Sequence, residues 1–281
     1  MTIADPDTWI LGLDLGARGR GAVRVADWLA GPDRTIGVHV LEHWTRPYIR
    51  PNAISAVHEA VRRIGDEFHV TPPARISVLE AASAEEGLAE AARGAAGLVI
   101  GRVAGSRQDT PFGLGRVARR LLRSLPGPVV VVPRDLEAVA PGPVLLATDL
   151  DESSDAAAAF ARALAGKHGR ELVVVHVGER RHSDLIDELE PSWLAAREAY
   201  RDELAAALAR WMARHDLAQA PRRVVYGSTV DELVTLAATI DAAMLVVGSR
   251  RLGAAGRVFL GSTASALAGR AACPVAVIPP A

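Results

Sequence analysis

The sequence predicts an α/β protein in which a parallel sheet with helices on both faces is built twice, and three observations carry that expectation. Short apolar runs alternate with helically spaced ones in the order β-α-β-α-β-α-β-α-β, which argues for a parallel sheet covered on both sides. The same order begins again after Pro141-Gly142-Pro143, a turn-forming stretch that reads as a hinge between domains. Landmark residues also recur at slowly drifting offsets. Asp14 returns as Asp149 after 135 residues, His39 as His176 after 137, Gly101 as Gly248 after 147, and Gly115 and Pro133 as Gly261 and Pro279 after 146. A chance match would not keep strand order and glycines together, so the chain reads as one ancestral unit duplicated with a few loop insertions. Its 281 residues suit two domains, 1–139 and 140–281, each large enough for a core of its own.

In the first half, Trp9 to Leu15 is apolar and strand-like, and Ala22 to Leu29 has helical spacing. Thr35 to Leu41 is the second strand. Ile54, Val57, Val61, Ile64 and Phe68 then fall three or four apart, on one face of a helix. Ile76 to Leu79, Gly97 to Ile100 and Val129 to Val132 complete the strands, with helices at Glu85 to Ala92 and Gly115 to Ser124. In the second half the strands are Val144 to Thr148, Glu171 to Val177, Val224 to Tyr226, Leu245 to Val247 and Val275 to Ile278. The helices are Ala156 to Leu164, a long one from Ser192 to about His215 striped by Tyr200, Leu204, Leu208 and Trp211, and two more after Ser228 and Ser262. The apolar runs Val129 to Val132 and Val275 to Ile278 are expected to pair across the domain interface, because an unpaired apolar edge invites association.

Composition excludes several classes of function. A net charge of −1 gives no electrostatic footprint for nucleic acid or an anionic membrane. Cys273 is the only cysteine, so neither an intrachain disulfide framework nor an all-cysteine metal site exists. The N-terminus has no signal-peptide pattern, and no apolar run approaches the roughly 20 residues that span a bilayer. A soluble, cytoplasmic protein is expected.

Chemistry concentrates between Met244 and Thr263, where an apolar strand runs into a glycine- and arginine-containing loop and then Gly261-Ser262-Thr263 at a helix start. Glycines let backbone approach a ligand closely, and the free N–H groups of a helix N-terminus point at anions, so this order suggests a phosphate cradle. Together with Thr148-Asp149, His176-Val177, Val246-Val247-Gly248-Ser249-Arg250, Leu260-Gly261-Ser262 and Cys273-Pro274-Val275-Ala276-Val277-Ile278, the second half resembles the universal stress protein family. The first half resembles it through Asp14, His39-Val40, Ile100-Gly101, Leu114-Gly115 and Pro128 to Pro133. The resemblance implies two tandem flavodoxin-like (adenine nucleotide alpha hydrolase-like) domains, each a five-stranded parallel sheet with helices on both faces, packed as an internal pseudo-dimer that is able to form homodimers.

Nucleotide-binding members of that family resemble G-x2-G-x9-G-(S/T). In the second half Gly248, Gly261 and Ser262 match it, while Arg251 stands in place of the second glycine. Two outcomes compete there: the arginine fills the phosphate space or strains the backbone, or its guanidinium pairs with the phosphates. Arg250 matches a position that commonly faces the phosphates. In the first half Gly105 and Gly115 keep the nine-residue spacing, but Gly101 lies one residue too far upstream and Arg116 replaces the hydroxyl residue. Arg102 and Arg107 keep that loop basic, with Asp109 offsetting them. The resemblance therefore implies a degenerate first motif and a near-complete second one. It places ATP, with or without Mg2+, against Thr148, Asp149, Val177, Gly248, Arg250, Arg251, Gly261, Ser262 and Thr263. Asp149 would accept hydrogen bonds from ribose or adenine, and backbone beside Val177 would read the adenine edge. Asp149 reads nearly as well as a helix cap or turn residue.

Other patterns carry less. Gly16 to Gly21 does not fit G-x-G-x-x-G, and Leu13-Asp14-Leu15-Gly16 lacks the antiparallel strands of a sugar-kinase or actin type loop. His39 and His176 read as satisfied structural histidines, Cys273 as a core residue, and Asp151, Glu152 and Asp155 as an acidic helix start favoured by the helix dipole. No residue resembles a dedicated general base, so slow ATP hydrolysis is the most the chain would catalyse. The expected function is a stress-response protein that binds an adenine nucleotide as a regulatory ligand and signals to an unidentified protein partner. The alternative is a scaffold or regulator that binds no nucleotide because Arg116 and Arg251 close both sites.

Overall fold

The computed structural model describes residues 5–15, 19–43, 53–102, 113–134, 136–178, 191–249 and 262–280. The first half contributes strands β1 (Trp9–Gly12), β2 (Thr35–Glu42), β3 (Arg75–Ala81), β4 (Gly97–Gly101) and β5 (Val129–Val132). The second contributes β6 (Val144–Ala147), β7 (Leu172–Gly178), β8 (Arg222–Tyr226), β9 (Met244–Gly248) and β10 (Val275–Ile278). Helices α1 (Arg20–Ala30), α2 (Ala53–Phe68), α3 (Ala84–Ala91) and α4 (Arg116–Ser124) belong to the first half. Helices α5 (Asp155–Lys167), α6 (Pro191–Arg214), α7 (Thr229–Thr239) and α8 (Ser262–Arg270) belong to the second.

All ten strands form one sheet in the order β3-β2-β1-β4-β5-β10-β9-β6-β7-β8. Pairing is parallel within each half and antiparallel at one place, the expected seam, where Val129, Val130 and Val131 face Val277, Ala276 and Val275. Both seam strands are unbroken apolar runs, Val-Val-Val-Val and Val-Ala-Val-Ile, and every residue in them is buried, as a strand covered on both faces requires. Helices α1, α2, α5 and α6 lie over one face and α3, α4, α7 and α8 over the other. The apolar layer on each face runs without interruption from one half to the other: Val130 and Ala276 share one layer, Val131 and Val275 the other.

Contacts beyond the strands fasten the seam. Trp28 of α1 stacks on His168 at the end of α5, with ring centroids 4.1 Å apart and 19° between planes. Lys167 donates to the carbonyl of Leu29. On the opposite face Arg102, just after β4, reaches into the second half and donates to the carbonyls of Ala268 (3.3 Å) and Ala271 (3.0 Å) at the end of α8. A guanidinium there meets the negative end of the helix dipole and acceptors that lack intrahelical donors.

Two local expectations differ from the fold. Ile54 is 61% exposed, whereas Val57, Val61 and Ile64 on the same stripe are buried. It sits in the first turn of α2, and periodicity alone does not say how far the sheet extends beneath a helix. Strand β1 stops at Gly12 rather than Leu15. At Pro141 to Pro143 the Gly142 N–H donates to Asp241 O (3.1 Å) and the Ala243 N–H to Pro143 O (2.8 Å), which ties this stretch to the second half. Among the described residues no helix is long and apolar enough to cross a membrane.

Candidate functional site

In the second half β6 has β7 on one side and β9 on the other, and the chain leaves their carboxyl ends toward opposite faces of the sheet. Open α/β sheets bind ligands at such a switch point, because the diverging connections leave a crevice above the strand ends. Here the crevice encloses about 470 Å³ and is lined by Thr148 and Asp149 after β6, Val177 and Gly178 of β7, Gly248 and Ser249 at β9, and Thr263 in the first turn of α8. That volume suits a small ligand with several polar groups.

The chain after β6 is a tight, side-chain-braced turn. The Asp149 carboxylate accepts from the Ser154 hydroxyl at 2.7 Å, from the Ser153 hydroxyl at 3.1 and 3.2 Å, and from the Asp151 N–H at 3.3 Å. Thr148 Oγ1 accepts from the Leu150 N–H at 2.9 Å, and Leu150 itself holds a left-handed φ of 67°. A leucine in that region is strained, and persists because the surrounding bonds over-determine the turn. The turn reading of Asp149 holds, since its carboxylate organises the turn, and the residue also stands at the crevice wall. Asp151 caps the short 3-10 turn that follows by accepting from the Glu152 N–H at 2.8 Å.

Gly248 is required by close approach. A Cβ at this position would lie 2.3 Å from the carbonyl oxygen of Ser153, so only glycine lets β9 end against the braced turn. Ser249 follows; its N–H donates to Ile278 O (2.9 Å), while its hydroxyl is buried without a hydrogen-bond partner among the described residues. A buried hydroxyl of this kind costs roughly 1–3 kcal/mol, and it lies in a wall that also carries Thr263 and the N-terminal end of α8. Backbone N–H groups of that first turn supply donors for an anion. An anionic, hydroxyl-rich ligand thus fits the groups present.

The expected site residues Thr148, Asp149, Val177, Gly248 and Thr263 come together around this crevice. Ser262 opens α8. Arg250, Arg251 and Gly261 lie outside the described residues. Sequence reasoning passed over Tyr200, Thr229 and Ser249, which line the same crevice. Ser249 was visible as the neighbour of Gly248, whereas Tyr200 was hidden in the core stripe of α6.

The first half differs at the equivalent place. Arg116 opens α4 and pairs with Glu42 at the end of β2 (3.2 Å), and the same Glu42 oxygen accepts from the Ala84 N–H (3.0 Å) at the start of α3. One ion pair thus ties two helix N-termini to a strand end across the carboxyl edge of the half-sheet. Arg102, a candidate for keeping that loop basic, is committed to α8 instead. Gly105, Arg107 and Asp109 lie outside the described residues.

The histidines are partnered alike in both halves: His39 Nδ1 lies 3.0 Å from Leu13 O, and His176 Nδ1 lies 2.9 Å from Thr148 O. Among the described residues no group of three or more His, Cys, Asp or Glu is placed to hold a metal ion. Cys273 is buried, and burial pushes its thiol up to about 11, so it stays protonated and packs as a small apolar group.

Similarity to known proteins agrees with the geometry. Residues 142–279 match the family model described as "Universal stress protein family". A universal stress protein of Mycolicibacterium smegmatis is 30% identical over 266 residues, covering 91% of this chain and 84% of the relative. A universal stress protein of Mycobacterium tuberculosis is 29% identical over 260 residues, covering 90% and 82%. Among solved structures, a universal stress protein from Archaeoglobus fulgidus superposes with a TM-score of 0.66 at 17% identity, covering 98% of this chain and 99% of that one.

Proposed function

This chain belongs to the universal stress protein family, and on that premise we propose that its second half binds ATP as a regulatory ligand. The reading is carried by the crevice of about 470 Å³ above β6, β7 and β9, which is lined by the braced Asp149 turn, Ser249 and the first turn of α8. In this reading the α8 N-terminus, with Ser262 and Thr263, receives the phosphates and any Mg2+ that accompanies them. Gly248 lets backbone approach, Thr148 and Asp149 meet the ribose, and the backbone beside Val177 meets the adenine edge. Arg250, Arg251 and Gly261, outside the described residues, would be further contacts of the nucleotide. Occupancy would alter conformation or the choice of protein partner in the cytoplasm rather than drive fast chemistry.

The division of labour follows 1–139 and 140–281. In the first unit the Arg116–Glu42 pair spans the corresponding strand ends, an arrangement that favours a structural role there. A scaffold that binds no nucleotide in either unit is the competing reading. Thermal melting with and without millimolar ATP and Mg2+ separates the two, because ligand at about 100 times its dissociation constant adds roughly 2.7 kcal/mol of stability. The expected result is a clear upward shift that Asp149→Ala diminishes and Arg116→Ala leaves intact. Absence of any shift in the unsubstituted protein, with no nucleotide released on denaturation, refutes ATP binding and leaves the scaffold.

A further inference from the structure

The crevice is lined by groups of two kinds. Ser249 and Thr263, beside the start of α8, supply hydroxyls to its lining, and Val177, Leu233 and Tyr200 of α6 supply apolar and aromatic groups. The placement of Tyr200 follows from the helix it sits on. Helix α6 has 24 residues, a length of about 36 Å, while β7 beside it has 7 residues, about 23 Å. Along the stripe Tyr200, Leu204, Leu208 and Trp211, the last two residues are fully buried beneath the sheet face and the first two are half-buried. The stripe thus leaves the core as it rises and reaches the strand ends at Tyr200.

Two further features fix the ring. Gly178 ends β7, and a Cβ there would lie 2.7 Å from Leu204 Cδ1 and 2.9 Å from the Tyr226 ring, so the glycine lets α6 descend onto the strand end. Tyr226 then supports Tyr200 in a tilted arrangement, with centroids 6.4 Å apart and 56° between planes, and Arg201 places its guanidinium carbon 5.2 Å from the Tyr226 centroid. Tilted aromatic pairs are favourable, and the apolar body with a polar tip suits a residue half in the core and half in a wet crevice.

Resting on the nucleotide reading, we propose that Tyr200 is the base-stacking wall of this site and sets its preference for a purine. Stacking on an aromatic side chain is sequence-tolerant but grows with the area of the base, so adenine gains more than a pyrimidine, and the phosphate end is indifferent to the ring. Tyr200 acts with Val177 and Leu233, while Asp149 and Thr263 address the sugar and phosphates.

The test is titration calorimetry of the full chain with ATP, UTP and inorganic tripolyphosphate, comparing the unsubstituted protein with Tyr200→Ala, Tyr200→Phe and Tyr200→Leu. The leucine variant keeps apolar volume against Leu204 and Tyr226 if alanine unfolds the helix end. The expected result is a loss of about tenfold in ATP affinity on removing the ring, a narrowed ATP to UTP ratio, unchanged tripolyphosphate binding, and retention by Tyr200→Phe. Unchanged ATP affinity in both ringless variants overturns the stacking wall and leaves the nucleotide reading standing, and so does an equal loss for tripolyphosphate. An unsubstituted protein that binds none of the three overturns the nucleotide reading itself, and the wall falls with it.

Discussion

Gly248→Ala is the sharpest single perturbation of the crevice. The added methyl would stand 2.3 Å from the Ser153 carbonyl oxygen, 3.0 Å from the Ser153 carbonyl carbon and 3.2 Å from the Ser154 Cα. Relaxed contact requires the two segments to separate by roughly 1 Å, and no flexible side chain is available to yield, because all three atoms are backbone. Strand β9 is paired with β6 on one side and β10 on the other, so the braced turn after β6 must give way. Overpacking of this kind costs about 1–3 kcal/mol. In a chain of this size that lowers the melting temperature by roughly 2–5 °C. Because the Ser153 and Ser154 hydroxyls hold the Asp149 carboxylate, the same displacement loosens the turn that faces the ligand. The assay is a thermal melt of the substituted protein, first alone and then with ATP and Mg2+. A midpoint within about 1 °C of the unsubstituted protein would refute the close-approach argument.

Arg102→Ala strips two carbonyls at the end of α8 of a charged donor and is expected to cost about 2 kcal/mol, seen as a lower urea midpoint with an unchanged slope. A midpoint that does not move would show that the contact across the halves is without consequence. His168 titrates below its ordinary value of 6.5, because burial disfavours the imidazolium and Lys167 and Arg170 repel it. The unfolded chain therefore takes up this proton more readily than the folded one. Its contribution to stability is complete above about pH 6.5 and is lost as the pH falls from there through the folded value. Urea midpoints at pH 7.5 and 5.5 should fall less in His168→Phe than in the unsubstituted protein, and equal slopes would contradict the assignment.

Most of the fold was legible because buried parallel strands are continuous apolar runs and their helices carry periodic stripes. The pairing of Val129–Val132 with Val275–Ile278 could be anticipated for the same reason, since an edge that apolar must be covered. Two misreadings share a cause: spacing reports which face of a helix is apolar, but not what stands beneath it. Ile54 and Tyr200 both belong to such stripes. One meets solvent, and the other meets the crevice. Arg102 was counted among loop charges because nothing local says that its partner lies 166 residues away. The Asp149 turn was half visible, as an acidic residue followed by serines, but its bracing depends on three-dimensional contacts.

The antiparallel seam also bears on how the chain depends on its own abundance. Two separate copies joined through such an edge come apart on dilution, and their stability varies with protomer concentration. Here Val129 to Val132 find their complement at a local concentration fixed by covalent linkage. The seam itself should therefore add no concentration dependence to the melting midpoint. The first half must keep supplying that edge whatever becomes of the strand ends that Arg116 and Glu42 span.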